Sequence, residues 1–375
     1  MRIDEIEIRY VTLDMHTPFE TSFGPYTATH TVIVRLRSGD RVAWGEGPAG
    51  GDPFYSAETA GTVFLMIRDF IAPMLLGKNV DSLEDLHGRL APIRGNHMAR
   101  GAVDTAVATM LALKRGQSLS AFLGGTRDKV ACGVSVGIQR DGKGDVSIEQ
   151  LLKAVARHVE EGYRRIKIKI KPGYDVDAVT EIRKAFGDDL PLQVDANSAY
   201  TLEDVDVFRK LDRFGLLLIE QPLAHDDIID HAKLQSQIAT PVCLDESIET
   251  FDDARHALDL GSCRVINIKH TRVAGLYHAK RIHDLCADRG VPVWCGGMLE
   301  SAIGQCHGIA MASLPNFRLA GDLAPTTRYF RRDLISPWIE MKDGWMTVPT
   351  TPGLGFEVDE DYLEERTREK QVLHG

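Results

Sequence analysis

Five charged residues recur at nearly equal spacing through the middle of the chain: Lys169, Asp195, Glu220, Asp245 and Lys269, separated by 26, 25, 25 and 24 positions. Each stands at or near the end of a short apolar run (166–170, 192–195, 217–220, 242–245 and 265–269). Three carboxylates delivered to one place repel one another unless a cation sits among them. An all-oxygen donor set suits a hard divalent ion, Mg²⁺ first, with Mn²⁺ or another divalent ion as the alternative. No H-x-H or H-E-x-x-H motif occurs, which argues against a zinc hydrolase. Lys169 and Lys269 flank the acids from either side. A neutral lysine is a competent base, and a nearby cation, with the charge of Lys167 on the same strand face, is expected to lower the pKa of Lys169. Two amines facing each other across a carbon acid can take a proton from one face and return it on the other. Loss of a proton α to a carboxylate makes an enediolate whose charge a cation stabilises. The residue types therefore suggest α-proton abstraction from a carboxylate. The plain alternative is that the lysines are structural ion-pair partners of the acids.

The spacing tells which elements must hold these groups. A parallel strand, a turn, a helix and a second turn take about 25 residues. Eight such strand candidates run from 130–138 to 317–322. Eight parallel strands with intervening helices argue for a closed barrel, whose active site lies at the carboxyl ends of its strands. An open doubly wound sheet is weaker, because no Gly-rich phosphate turn follows the first strand and polar strand ends occur in every unit.

The remainder of the chain has a different texture. Residues 3–11, 31–37 and 42–47 read as a three-stranded antiparallel meander. The link between its first two strands, holding Pro18-Phe19-Glu20-Thr21-Ser22-Phe23-Gly24, reads as a functional loop. A helix opens at Ser56-Ala57-Glu58-Thr59 with Phe64, Ile67, Phe70 and Ile71 on one face, another opens at Ser82, and 98–113 reads as a buried helix. Residues 338–341 and 345–348 read as a hairpin within a tail that returns to the N-terminal sheet, and 364–375 are expected to fray.

The chain has 375 residues, 43% hydrophobic and 26% charged, with a formal net charge of −10. An acidic surface disfavours nucleic acid and anionic membranes as partners. Met1-Arg2-Ile3-Asp4-Glu5 does not read as a signal peptide, and no apolar stretch is long enough to span a bilayer. The six cysteines show no C-x-x-C spacing and read as buried reduced thiols of a cytoplasmic protein.

Lys167-Ile168-Lys169, Asp195-Ala196-Asn197, Glu220-Gln221-Pro222, Asp245-Glu246-Ser247 and Asn267-Ile268-Lys269 together resemble the enolase superfamily, in its muconate-lactonising subgroup, over nearly the whole chain. Closer signatures are Pro18 to Gly24, Gly133-Val134-Ser135-Val136-Gly137-Ile138 and Val293-Trp294-Cys295-Gly296-Gly297-Met298-Leu299-Glu300-Ser301. They are similar to the family of o-succinylbenzoate synthases and N-succinylamino acid (N-acylamino acid) racemases. The resemblance implies an α/β fold, a (β/α)7β barrel under an α+β cap completed by the C-terminal tail, divided as 1–127, 128–332 and 333–375. It implies Mg²⁺ held by Asp195, Glu220 and Asp245, with Lys169 and Lys269 as the acid/base pair. Lys167, Asn197 and Glu246 would stand beside the metal. Ser135, Phe19, Phe23, Tyr55, Arg272, Gly297, Met298 and Ile303 would surround the substrate, a small carboxylate bearing a succinyl or N-acyl group. The activities implied are a carbon–oxygen lyase of menaquinone synthesis and an amino-acid-derivative racemase, in a homo-oligomer.

One motif departs from the pattern. Racemase-competent members of the family it resembles usually read Arg-Val-Gly-Gly where this chain has Arg272-Val273-Ala274-Gly275, which adds a methyl near the mouth. A dipeptide epimerase, with Asp322 holding the substrate amine, and a muconate cycloisomerase are alternatives within the superfamily. A catalytically inactive binding barrel is the alternative of another class. The presence of both lysines and all three acids speaks against it.

Overall fold

Two sheets organise the computed structural model, which describes residues 1–21 and 24–375. β1 (Glu5–Thr21), β2 (Gly24–Ser38) and β3 (Arg41–Gly47) form the expected antiparallel meander. Alternation along the strands buries Ile6, Ile8, Val32, Val34 and Leu36 in one core with the cap helices. The link expected to be a loop is instead the distal half of a long hairpin, in which Phe19 pairs with Tyr26. The register shifts between Asp14 and Phe19, the stretch containing Pro18, which has no N–H to give to a ladder.

α1 (Ala60–Met66) starts later than expected. Thr59 is its cap, in a reciprocal bond with Thr62. Glu58 instead accepts from the Met98 and Ala99 amides at 2.8 and 3.0 Å, at the N-terminus of another helix. A π turn, Ile67–Ile71, joins α1 to α2 (Ala72–Leu75). Its extra residue per turn rotates Phe70 out of the expected apolar face, leaving it 57% exposed while Phe64, Ile67 and Ile71 stay buried. α3 (Leu83–Leu90) is capped by Ser82. α4 (His97–Lys114) is the buried helix, followed by α5 (Leu119–Leu123). Glycines bring α4 close on both sides: a Cβ on Gly45 of β3 would lie 2.1 Å from the Ala102 carbonyl, and one on Gly101 would lie 2.9 Å from Thr271 of the barrel.

The expected first barrel strand is broken at Cys132 into β4 (Lys129–Ala131) and β5 (Gly133–Val136). The parallel sheet then adds β6 (Arg165–Lys169), β7 (Leu192–Asp195), β8 (Ile219–Glu220), β9 (Val242–Leu244), β10 (Val265–Ile268) and β11 (Val293–Cys295), neighbouring in sequence order from β5. The crossover helices are α6 (Ile148–Glu160), α7 (Val176–Phe186), α8 (Val205–Leu211), α9 (Ile228–Gln235), α10 (Phe251–Leu260) and α11 (Leu276–Asp288). α12 (Ala302–Ala312) follows β11. The eighth strand candidate is reduced to two parallel bridges, Phe317 to Val293 and Gly321 to Cys132, which join the two edges of the seven-stranded sheet.

The tail returns to the N-terminal sheet as expected, but by different elements. β12 (Ile335–Ser336) pairs with β14 (Glu357–Val358), while β13 (Trp345–Thr347) pairs with β4 rather than forming a hairpin with 338–341. Edge β4 offers an unpaired ladder, and Arg164 stacks over Trp345 at 5.3 Å. After α13 (Glu360–Arg366), the residues expected to fray form β15 (Thr367–His374). They are the fourth strand of the cap sheet, registered on β1 from Glu5↔His374. All six cysteines are buried and free, and among the described residues no helix is long and apolar enough to cross a membrane.

Candidate active site

Register brings the charged residues to one end of the barrel. Lys169 pairs with Asp195, Asp195 with Glu220, and Ser135 with Lys167 on adjacent strands. Asp245 and Lys269 follow immediately after β9 and β10. The three acids thus come from consecutive strands, between a lysine on β6 and a lysine after β10. The chain turns sharply at these ends. Asn197, Ser198, Gln221, Ala274 and Leu299 all have positive φ, between 37 and 65°. Such backbone costs about 1–2 kcal/mol per non-glycine residue and persists where surrounding bonds dictate it. At Gln221 those bonds are visible: its side chain accepts from the Asp245 amide at 3.0 Å and donates to Ser247 Oγ at 2.7 Å, bracing the next strand end.

Each acid rests against an ammonium. Asp195 Oδ2 lies 2.6 Å from Lys169 Nζ, Glu220 Oε2 3.0 Å from Lys167 Nζ, and Asp245 Oδ2 2.8 Å from Lys269 Nζ. Lys167 also meets Asp322 at 2.7 Å. Asn267 donates to Glu220 Oε1 at 2.8 Å, and Asn197 to Glu246 Oε1 at 2.9 Å. Arg272 pairs with Asp245 Oδ1 and donates to the carbonyls of Ile248 and Asn267 at 3.0 and 2.8 Å.

Two of the lysines, Lys167 and Lys269, are shifted upward by their partners. Burial alone would lower Lys167, but Asp322, Glu220 and Asp195 outweigh it and the pKa rises. Burial likewise opposes, and Tyr55, Glu246 and Glu220 reverse, the shift of Lys269, which also rises. Burial pushes Asp195 upward, yet Lys169 and Lys167 bring it down to about 2. Glu220 and Glu246 are raised, first by burial and then by the charge of Asp195.

Among the described residues no three acids form a ready-made ligand cluster, and an ammonium sits against each of Asp195, Glu220 and Asp245. The donor set nevertheless fits a hard divalent ion. Asp195, Glu220 and Asp245 are buried oxygen donors, Glu220 and Glu246 are destabilised as anions by Asp195, and buried Glu246 Oε2 has no hydrogen-bond partner. A dication there would relieve this repulsion.

The lysines face a cavity of about 140 Å³ that Phe19, Tyr55, Ser135, Gly297 and Met298 also line, with Lys167 and Asn197 in its wall. The Tyr55 hydroxyl, on a cap loop, accepts from Lys269 at 2.7 Å and from Arg272 at 3.2 Å. Two expected substrate contacts lie elsewhere. Ile303 is fully buried within α12. Arg272 is buried beneath Asp245 and holds that acid rather than facing the cavity. Phe23 lies outside the described residues. Ala274 does not line the cavity either, so its added methyl acts on the backbone turn, not on the mouth. Tyr26 and Tyr329 line the cavity and were not singled out from the sequence. Tyr26 was detectable once β1 and β2 are known to pair through Phe19. Tyr329 sits in an irregular segment with no motif. Gly296 shapes the site by absence: a Cβ there would lie 2.3 Å from Asn267 Oδ1 and 2.7 Å from Lys269 Cε.

Comparison with known proteins gives this geometry a family. Residues 4–124 match the N-terminal domain of mandelate racemase/muconate lactonizing enzymes, and residues 150–362 match the enolase C-terminal domain-like family. The chain belongs to the enolase superfamily. Among superfamily members it is 48% identical over 375 residues to an o-succinylbenzoate synthase from Geobacillus kaustophilus, covering 100% of this chain and 98% of that protein. It is 42% identical over 370 residues to an N-succinylamino acid racemase from Amycolatopsis sp, covering 99% of each. A solved enolase-superfamily structure from Listeria innocua Clip11262 superposes with a TM-score of 0.95 at 35% identity, covering 100% of this chain and 99% of that one. The α/β barrel under a capping sheet is the superfamily architecture.

Proposed function

We propose that the protein is a divalent-metal-dependent enzyme that removes the proton α to a carboxylate, acting as an o-succinylbenzoate synthase and as an N-succinylamino acid racemase. The observation that carries this reading is that Lys169 and Lys269, from strand ends on opposite sides of three buried acids, line one cavity. The relatives named above support the choice of substrates.

In this reading Asp195, Glu220 and Asp245 hold the ion, Mg²⁺ first and Mn²⁺ as the alternative. When bound, the ion would supply charge stabilisation to the enediolate. Asn267, Arg272 and Asn197 keep Glu220, Asp245 and Glu246 oriented through the bonds described. An ammonium cannot accept a proton, so turnover starts from a state in which one of the two amines is neutral. In racemisation, that amine takes the α-proton on one face and the opposite ammonium returns one on the other. In dehydration, one lysine removes the proton and assists departure of hydroxide as water, while the other stays protonated and donates to the enediolate. Ser135, whose buried hydroxyl has no partner, would donate to the substrate.

The same reading takes 1–127 as the cap, 128–332 as the barrel and 333–375 as the returning segment, in a cytoplasmic homo-oligomer without nucleic-acid or membrane partners. A dipeptide epimerase is less well supported, because Asp322 is already engaged by Arg165 at 2.8 Å and Lys167 at 2.7 Å. The deciding experiment assays the dehydration substrate beside a panel of N-succinylamino acids, with Mg²⁺, in deuterated water. Product formation and α-deuterium incorporation are expected. Neither reaction with any member of the panel would overturn the reading.

A further inference from the structure

The catalytic cavity, about 140 Å³, is small beside ordinary ligand pockets of roughly 300–1,000 Å³. A larger one, about 740 Å³, lies next to it, between the distal hairpin of the cap, α6 and the irregular segment 325–341. Phe19, Ser135 and Tyr329 line both. Phe19 and Tyr329 meet edge to face, centroids 6.2 Å apart, so two rings with no hydrogen bond between them make much of the partition.

The larger cavity contains a cation with no carboxylate at ion-pair distance, bonded instead to the Tyr329 side chain and influenced by the more distant Glu161. Arg328 donates to the Ser135 carbonyl at 3.1 Å, approaches His158 Nε2 at 3.5 Å and stacks on Tyr329 at 5.4 Å. Its Nε is shut off from solvent and has no hydrogen-bond partner. Among the described residues no acid comes within ion-pair distance of it. The acids of the cavity are otherwise engaged. Glu161 accepts from His158 Nδ1 at 2.7 Å and faces Arg157 at 3.9 Å, and Glu20 is held by Arg140 at 2.7 Å. Glu340 stands on the exposed rim. With its hydrogen on Nδ1, His158 is neutral and presents Nε2 to the two arginines. Ser135 Oγ, on the boundary between the cavities, is also buried and unpartnered. Val136, Ala154, Ile339 and Met341 supply apolar wall.

A guanidinium partly withdrawn from water with no carboxylate at ion-pair distance gains from one, and its planar fork matches a carboxylate. We propose that the two cavities form one substrate site, in which the reacting carbon lies between the lysines and the free carboxylate of the acyl arm is bound by Arg328. Ser135 Oγ is the donor the arm passes on its way, and the Phe19–Tyr329 pair parts to admit it. The assignment rests on the succinyl-bearing substrate of the functional reading above and adds the residue that selects it.

The test compares α-deuterium exchange of one amino acid carried as its N-succinyl and its N-butyryl derivative, in which a methyl replaces the carboxylate. The natural protein should favour the succinyl compound in kcat/KM by about 30-fold or more, the size expected for a desolvated charge pair. Arg328→Met should raise KM for the succinyl compound far more than for the butyryl one and erase most of that preference, with kcat changed little. Arg328→Lys, which keeps the charge, should restore part of it. Equal treatment of the two compounds by the natural protein would overturn the proposal, whether or not a variant folds. So would an equal loss for both in Arg328→Met. Exchange of either compound by the natural protein leaves the functional reading standing in those cases, whereas no exchange at all overturns both.

Discussion

The Tyr55 hydroxyl lies 2.7 Å from Lys269 Nζ, and the same ammonium stands 4.5 Å from the centre of the Tyr55 ring. A cap loop thus reaches one of the two amines and leaves the other, Lys169, to Asp195 and Asn197. Tyr55→Phe keeps the ring and removes the oxygen. It should therefore slow proton exchange from one face by about 10-fold, the worth of one charge-assisted hydrogen bond, and affect the other face less. Exchange rates measured separately on the two enantiomers of an N-succinylamino acid check this. Equal slowing of both would remove the special tie to Lys269.

Lys169→Ala and Lys269→Ala should each abolish turnover. They should bind Mg²⁺ at least as tightly as the natural protein, because the ammoniums lie against Asp195 and Asp245 in competition with any cation. Calorimetric titration with Mg²⁺ alongside the exchange assay tests both halves. Near-full turnover by either variant would sink the two-lysine mechanism.

Gly296→Ala should cut turnover by about 100-fold or more and cost about 1–3 kcal/mol of stability. The new Cβ would meet Asn267 Oδ1 and Lys269 Cε at 2.3 and 2.7 Å. Both belong to side chains that can shift, so the chain still folds, but a displaced catalytic amine loses rate steeply. Unchanged kcat together with an unchanged urea midpoint would show that the amine does not need its present position.

Glu300 and Asp333 brace the loop and helix that follow β11. Asp333 accepts from the Ala302 amide at 3.0 Å, and Glu300 from the Met298 amide at 2.5 Å. Burial pushes the pKa of both up to about 7. Because the folded pKa exceeds the ordinary value near 4, the folded protein holds protons that the unfolded chain has already lost between about pH 4 and pH 7. The contribution of these acids to stability is therefore greatest below that window and falls as pH rises through it, by on the order of 2–3 kcal/mol each. Urea unfolding across pH 4–8 should show a shallower fall in the Glu300→Gln, Asp333→Asn double variant than in the natural protein. An identical slope would contradict the assignment.

The repeat of Lys169, Asp195, Glu220, Asp245 and Lys269 was legible because each strand–helix unit is built from neighbours in sequence, and a strand's end is marked where an apolar run meets a charge. The same locality made α4 and the Ser82 cap readable. The π turn that exposes Phe70 was not, since one extra residue in a helical turn leaves no trace in composition.

The amino-acid order by itself thus settled the chemistry on offer: three acids and two amines on successive parallel strands, under an N-terminal sheet. Only the tertiary structure decided which amine rests on which acid, that Arg272 serves Asp245, and that Tyr329 and Arg328 stand beside the catalytic cavity. It alone set β15 against β1, across nearly the full length of the chain. Those relationships join residues far apart in sequence. Their energies come from ladders, ion pairs and ring contacts that exist only once the chain has closed upon itself.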